Sequence, residues 1–339
     1  MIQQATVKNN FKEYFMRTPP LKMILLSSVM IAGAAQVTST MAADNIHELT
    51  LTPRQPSVKL ISDVVYAQVP MRGYPNVALK MDILQPETKS PQPAVLFITG
   101  GGFINANKDN YIQQRLKLAE AGYVVASMEY RVAPTVLFPA PLEDVKSAIR
   151  YLRANAGKFG IDAGHVAVFG ASAGGYLAAF AGTTSGNKQF DRGEHLDQSS
   201  QVQAVIDFYG LSDLTRVGEG FPDEVVQKHA SPSSTEAIWV NGTTIFNEGG
   251  PITRFPEKTA AANPITYIGQ HTPPFLIMHG SADTLVSPRQ TEILHRALIA
   301  HGINSTYYVV KGAEHGGIYW VQPEIMQKVI QFLDRQLKP

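Results

Sequence analysis

From residue 64 onward, short apolar runs alternate with stretches in which apolar residues recur every three or four positions. The short runs are typical of β-strands, and the longer stretches between them are typical of amphipathic helices. Strands that alternate with helices form a mostly parallel sheet with helices packed on both faces. The 339 residues are enough for one large domain of this kind. The sequence therefore predicts an α/β protein.

The pattern predicts eight strands and one long insertion. The first two strands are separated by turn residues and are expected to pair antiparallel. Residues 214–262, which follow the sixth strand, show no clean periodicity. About 50 residues is at the lower edge of what buries its own core, so this segment is predicted to be a lid-like insertion that covers a site. The predicted strands are residues 64–70, 79–86, 93–103, 123–132, 165–169, 202–210, 272–280 and 305–312.

The amino-terminal 43 residues have the order of a secretory signal. Four Lys or Arg residues precede an apolar run over residues 23–37. Small residues follow this run and end at residue 43, where cleavage of the segment 1–43 is expected. A retained anchor helix is the alternative, but a bilayer span needs about 20 apolar residues, so we expect no stable membrane span after cleavage. The prediction is a periplasmic or secreted protein with an N-terminal extension at 44–63 and a single domain at 64–339.

Charge and cysteine content exclude several classes of function. The formal net charge is +1, and no basic stripe is interleaved with aromatic residues, so nucleic acid is not an expected partner. The chain has no cysteine, which excludes disulfides and thiolate metal sites.

The most informative short motif is Gly170-Ala171-Ser172-Ala173-Gly174, which follows a predicted strand and begins a predicted helix. A serine hydroxyl is a poor nucleophile unless a base lies within hydrogen-bond reach and the backbone exposes it. A sharp strand-to-helix turn gives that exposure, and small flanking residues allow the backbone to fold closely on itself. The pattern alone recurs by chance, so its position between strand and helix is what predicts a nucleophilic role for Ser172.

Three glycines end the third predicted strand, upstream of this motif. A flexible turn is one interpretation of Gly100-Gly101-Gly102. The other is an oxyanion hole, because backbone without Cβ atoms can approach a developing negative charge. The predicted donors are the N–H groups of Gly101, Gly102 and Ala173.

A carboxylate and a histidine follow the last two predicted strands. Asp283 lies just past the seventh strand, where catalytic groups of open α/β sheets gather, and Asp213 is its rival. His315 follows the eighth strand in a loop of small residues, next to Glu314, which is a further candidate for the orienting acid. Ser172, Asp283 and His315 then stand in the order serine, acid, histidine. Four other histidines are expected to be structural or exposed: His165, His279, His295 and His301.

Seven segments in this order resemble the carboxylesterase branch of the α/β-hydrolases, which includes hormone-sensitive-lipase-like enzymes and bacterial acetylxylan and feruloyl esterase-like (BD-FAE-type) enzymes. The resemblance implies the α/β-hydrolase fold: a mostly parallel eight-stranded sheet flanked by helices, with a lid-like insertion after the sixth strand. The family usually has histidine at the position of Thr99. The matching segments are TGGGF (99–103), EYRVAP (129–134), FPAPLEDVKSAIRYLRAN (138–155), GASAGG (170–175), ANPITYI (262–268), MHGSADTLV (278–286) and GAEHGG (312–317).

The resemblance also implies a reaction, a serine esterase mechanism that forms an acyl-enzyme and needs neither a metal nor an organic cofactor. The expected substrates are short acyl esters, including acetyl or feruloyl esters of saccharides. A peptidase or amidase, a lipase and a non-catalytic binding module on the same fold are the alternatives. Four aromatic residues are candidate walls of the substrate pocket, although core packing is the commoner role of such residues: Phe103, Tyr209, Trp239 and Trp320.

Overall fold

An eight-stranded sheet forms the centre of the protein, whose computed structural model describes residues 47–338. The strand order is β1-β2-β4-β3-β5-β6-β7-β8; β2 pairs antiparallel with β1 and β4, and the other neighbours are parallel. The mostly parallel eight-stranded sheet is thus confirmed. The strands are Val58–Met71 (β1), Tyr74–Pro86 (β2), Gln92–Ile98 (β3), Val124–Met128 (β4), Ile161–Ala171 (β5), Ala204–Phe208 (β6), Phe275–Gly280 (β7) and Ser305–Val310 (β8).

Helices cover both faces of this sheet. Along β3, Leu96 and Ile98 belong to a hydrophobic cluster with residues of the second and fourth helices, whereas Val95 and Phe97 pack with residues of the first and ninth. All four side chains are fully buried, which explains why a central parallel strand shows no polar alternation. The helices are Ile112–Glu120 (α1), Ala140–Ala154 (α2), Ala156–Phe159 (α3), Ala173–Thr183 (α4), Asp223–His229 (α5), Thr235–Asn241 (α6), Pro256–Ala261 (α7), Pro288–Ala300 (α8) and Pro323–Leu337 (α9).

The parallel strands bring the candidate residues to one edge of the sheet. The carboxyl ends of β3, β5, β7 and β8 are followed by Gly101, Ser172, Asp283 and His315, respectively. Because the carboxyl ends of parallel strands meet at the same edge, residues distant in sequence become neighbours there.

The first strand begins earlier than the sequence indicated. Residues 58–61 pair with residues 83–86 of β2, so β1 includes six residues of the predicted extension at 44–63. The boundary at residue 64 is therefore wrong. At the sheet edge this part of β1 is mostly exposed, so no alternation of buried and exposed residues marked it as a strand.

The insertion contains α5, α6 and α7 and belongs to the same compact unit as the sheet, Thr52–Pro339. Trp239 of α6 is fully buried in the core cluster, and its backbone carbonyl accepts a hydrogen bond of 3.1 Å from the Phe138 N–H. The insertion is thus packed onto the domain.

The predicted signal peptide at residues 1–43 lies outside the described residues, so cleavage and export stay predictions. Within residues 47–338, none of the helices combines the length and the apolar character that crossing a bilayer requires.

Candidate active site

Ser172 lies at a sharp turn between β5 and α4. Its backbone has φ 57° and ψ −125°, a conformation that is strained for a residue with a side chain. The turn is held by a 2.9 Å hydrogen bond from its N–H to the Phe208 carbonyl. A Cβ atom at Gly170 would overlap the Gly174 carbonyl, and one at Gly174 would overlap the Ile98 carbonyl. The close backbone approach therefore requires both glycines.

The three residues predicted from their order lie in one hydrogen-bonded chain. His315 Nε2 is 2.8 Å from Ser172 Oγ, and His315 Nδ1 is 2.7 Å from Asp283 Oδ2. When Nδ1–H donates to the carboxylate, Nε2 is left to accept the serine proton. The Tyr209 ring packs against the imidazole with 4.7 Å between centroids. The arrangement can thus activate a serine hydroxyl.

The two rival acids lie elsewhere. Asp213 Oδ1 accepts hydrogen bonds from Thr215 N–H at 3.0 Å and from Asn263 Nδ2 at 2.8 Å, at the start of a short helix in the insertion. Glu314 is exposed to solvent although it precedes the histidine. Neither carboxylate reaches the His315 ring.

Asp283 is held as an ionised acceptor. Burial alone would raise its pKa, but hydrogen bonds from His279 and His315 outweigh burial and place the pKa well below its usual range. Its Oδ1 also accepts from the N–H groups of Leu285 at 2.8 Å and Val286 at 2.9 Å. Its negative charge is therefore available to stabilise a protonated His315.

The glycine loop after β3 presents unused backbone donors. Gly102 and Phe103 both have positive φ, 57° and 66°, and the turn is closed by a 3.1 Å bond from Asn105 N–H to the Gly101 carbonyl. The N–H groups of Gly101, Gly102 and Ala173 donate to no other residue within the described range. Free N–H groups on two sides of a nucleophile suit the binding of an oxyanion.

A cavity of about 510 Å³ opens at Ser172. The glycine loop forms one side, α5 and the start of α6 form another, and residues 284–286 after β7 complete it. A larger surface hollow of about 650 Å³ beside β1 and β2 contains none of the groups described above.

Comparison with known proteins assigns a family. Residues 81–298, more than half of the chain, match the BD-FAE family. The chain belongs to the BD-FAE family. It is 33% identical over 229 residues to esterase LipC of Mycobacterium tuberculosis, an alignment that covers 67% of this chain and 53% of LipC. The chain spans about half the length of the curated relatives it matches first.

Solved structures share the fold of this BD-FAE protein. A truncated carbohydrate esterase from gut microbiota superposes with a TM-score of 0.71 at 25% identity, covering 84% of this chain and 99% of that one. Thermogutta terrifontis esterase 2, solved after phosphorylation by paraoxon, superposes with a TM-score of 0.63 at 25% identity, covering 86% and 100%. These structures confirm the α/β-hydrolase fold.

His279 is a site residue that sequence reasoning missed. Its fully buried ring has Nε2 3.0 Å from both Asp283 Oδ2 and the Val286 carbonyl, and Nδ1 2.5 Å from Thr291 Oγ1. Two acceptors face Nε2, so this nitrogen carries the proton, and Asp283 Oδ2 accepts from two imidazoles, those of His279 and His315. The available signal was a histidine inside the otherwise apolar strand β7, since a buried polar side chain needs a partner.

Thr99 stands where the resemblance described in the sequence analysis implies a histidine. Its side chain is fully buried and its Oγ1 has no hydrogen-bond partner in the described structure. Its backbone carbonyl instead accepts a 2.8 Å bond from the Tyr130 hydroxyl. A Cβ atom at Gly100 would lie 2.9 Å from the Tyr111 hydroxyl, so two tyrosines pack closely against the start of the loop.

The four candidate aromatic walls occupy different places. Phe103 lines the cavity. Trp239 is buried beneath it with 4.5 Å between ring centroids, Tyr209 packs on His315, and Trp320 donates from its indole to a backbone carbonyl of the loop that holds the histidine. These three side chains do not line the cavity, which corrects that prediction. Large aromatic rings with a polar tip are equally suited to packing in a core.

Asp207 of β6 is a buried acid beside the turn that holds the serine. Its Oδ1 accepts a 2.9 Å bond from Gly210 N–H, whereas Oδ2 has no partner in the described structure. Burial raises its pKa to about 7, against the opposing effect of the Gly210 bond. A Cβ atom at Gly175 would overlap Oδ1, so the carboxyl group lies directly against the first turn of α4.

The described residues, 47–338, contain no group of three or more His, Cys, Asp or Glu side chains placed to hold a metal ion.

Proposed function

We propose that this protein is a serine carboxylic-ester hydrolase that cleaves short-chain acyl esters through an acyl-enzyme intermediate. The proposal rests on one observation, the hydrogen-bonded chain Ser172–His315–Asp283 beside three free backbone N–H groups. The esterase names of LipC and of the two structural relatives support it.

The first step forms the acyl-enzyme. His315 Nε2 takes the proton of Ser172 as Oγ attacks the ester carbonyl, and the carbonyl oxygen becomes an oxyanion that accepts from Gly101, Gly102 and Ala173. The tetrahedral intermediate collapses, His315 gives its proton to the leaving alkoxide, and the alcohol departs. Asp283 stabilises the imidazolium that exists between the two proton transfers.

The second step releases the acid. Water replaces the alcohol and gives a proton to His315 as its oxygen attacks the acyl carbon. Collapse of the second tetrahedral intermediate breaks the bond to Ser172 Oγ, which recovers its proton from His315. The structure brings Ser172 Oγ and His315 Nε2, the two protein atoms that exchange protons in these steps, within hydrogen-bond reach at 2.8 Å.

Two further points belong to the proposal. The alcohol half is a saccharide or another hydroxyl-rich alcohol, which the carbohydrate esterase among the structural relatives supports. The protein is exported to the periplasm or beyond the cell, which the sequence order of residues 1–43 supports. Amino-terminal sequencing of the secreted protein tests export: a new terminus near residue 44 is expected, and retention of residue 1 contradicts it.

A panel of 4-nitrophenyl esters from acetate to octanoate tests the reaction. Wild type should hydrolyse the short esters fastest, and Ser172→Ala should lower kcat at least about 10⁴-fold. Ser233→Ala is the matched control, because this serine lines the same cavity outside the hydrogen-bonded chain. A folded Ser172→Ala protein that works at the wild-type rate would refute the assignment.

A further inference from the structure

The insertion gives the cavity a polar wall that the acyl-transfer steps do not use. Apolar side chains line other parts of the cavity, including Phe103, Leu211 and Val286. The polar wall comes from α5, α6 and the turn between them: Lys228, His229, Ser233, Ser234, Thr235 and Glu236.

Glu236 is the most buried charged group of this wall. Its side chain is 8% exposed, and its Oε1 is 3.1 Å from His229 Nδ1. The His229 ring is fixed in turn by stacking on Phe221, with an interplanar angle of 3°. The second oxygen, Oε2, has no hydrogen-bond partner among residues 47–338. This oxygen is not fully enclosed by protein, so solvent reaches it, and a bound substrate can replace that solvent with a donor of its own.

The other groups of the polar wall select the kind of donor. Lys228 lines the same wall and brings a cation, which also pairs with Glu224 at 3.0 Å. The carboxylate of Glu224 offsets this cation, while the hydroxyl groups of Ser233, Ser234 and Thr235 on the same wall offer further hydrogen-bond partners to a hydroxyl-rich alcohol. A hydroxyl is therefore the favoured donor to Oε2.

Glu236 lines the same cavity as Ser172. The Thr235 methyl group lies 4.0 Å from where a Cβ on Gly102 would be, so the residue before Glu236 lies beside the oxyanion loop. A short acyl group, which is part of the proposed function on which this inference rests, occupies only a small part of the 510 Å³ cavity. The remaining space, with its polar wall, is available to bind the alcohol half of the ester.

We propose that Glu236, held by His229, is a specificity-determining residue that accepts a hydrogen bond from a hydroxyl group on the alcohol half of the ester.

Two acetates that differ only in hydroxyl groups test this proposal: glycerol 1-monoacetate and propyl acetate. For each ester, kcat/KM is divided by the rate constant for hydrolysis of that ester by hydroxide, which removes differences in intrinsic reactivity. The quotient for the glycerol ester divided by the quotient for propyl acetate is the ratio that measures hydroxyl recognition. Wild type should favour the glycerol ester at least about tenfold, as expected for a hydrogen bond to a charged group. This comparison needs no variant.

Glu236→Met keeps the side-chain length without an acceptor oxygen and should lower the ratio about tenfold, mainly through KM of the glycerol ester. Glu236→Gln keeps the shape and should lower it less, because only the charge is lost. Glu257→Gln is the matched control, an exposed carboxylate on α7 that does not line the cavity, and should leave the ratio unchanged.

The outcomes separate two failures. A wild-type ratio near one, or a ratio that Glu236→Met and Glu236→Gln leave unchanged, overturns the role of Glu236 while the esterase function stands. Wild type that hydrolyses neither acetate nor 4-nitrophenyl acetate overturns both proposals.

Discussion

The buried acid Asp207 makes the protein less stable as pH rises, and Asp207→Asn should remove this dependence. Burial raises the pKa of Asp207 from the ordinary 3.8 to about 7. Between these two values the unfolded chain has released a proton that the folded chain keeps, so the free energy of unfolding falls as pH increases. Above about pH 7 Asp207 is ionised in both the folded and the unfolded chain. The free energy of unfolding has then fallen by about 4 kcal/mol relative to a protein whose side chain at this position stays neutral.

Asparagine has the same shape and no charge, and its amide oxygen can accept the Gly210 bond. Its amide nitrogen takes the place of the unpartnered Oδ2, which costs about 1–3 kcal/mol at every pH. The free energy of unfolding of the variant, compared with that of wild type, should therefore rise by about 3 kcal/mol between pH 5 and pH 8. The variant should be the more stable protein at pH 8.

Urea unfolding at several pH values between 5 and 8 measures this difference. Other titrating groups affect both proteins alike and cancel in the comparison. Glu257→Gln, an exposed carboxylate on α7, is the control and should follow wild type at every pH. A difference between Asp207→Asn and wild type that stays constant with pH would refute the reasoning.

Substitutions at three further positions test the site. Asp283→Asn should lower kcat by about 10³–10⁴-fold, because His315 then adopts the wrong tautomer; stopped-flow assays with 4-nitrophenyl acetate measure this, and a wild-type kcat contradicts it. His279→Ala should lower kcat about tenfold with little change in KM, since Asp283 loses one of its donors. His279→Gln should restore much of the rate. Equal kcat values for wild type and both variants would exclude this role. Gly174→Ala should lower the free energy of unfolding by several kcal/mol, because its methyl group overlaps the Ile98 carbonyl; an unchanged urea midpoint would contradict that overlap.

The order of strands and functional motifs along the chain was sufficient to predict the sheet and to bring Ser172, Asp283 and His315 together. Each of these residues follows a predicted strand, and the rule that carboxyl ends of parallel strands share an edge converts that order into proximity. The rival acid Asp213 also follows a strand, β6, so only the three-dimensional structure separates it from Asp283.

What the sequence did not show depends on contacts and exposure that no residue pattern along the chain marks. His279 looked like an ordinary strand residue because its partners, Asp283 and Thr291, lie on the following loop and helix. Trp239 and Trp320 were candidate walls because composition does not distinguish a ring in a core from one in a cavity. The start of β1 was missed because an edge strand with both faces largely exposed has no hydrophobic period.

The most direct test of the central claim is covalent labelling of the nucleophile by paraoxon, the reagent that phosphorylates the related Thermogutta terrifontis esterase 2. Intact-protein and peptide mass spectrometry should find one diethylphosphoryl group on wild type, located on Ser172, together with loss of ester hydrolysis. Ser172→Ala should remain unlabelled, and Ser233→Ala should be labelled like wild type. A label on any other residue, or labelled wild type that keeps its full activity, would contradict the account.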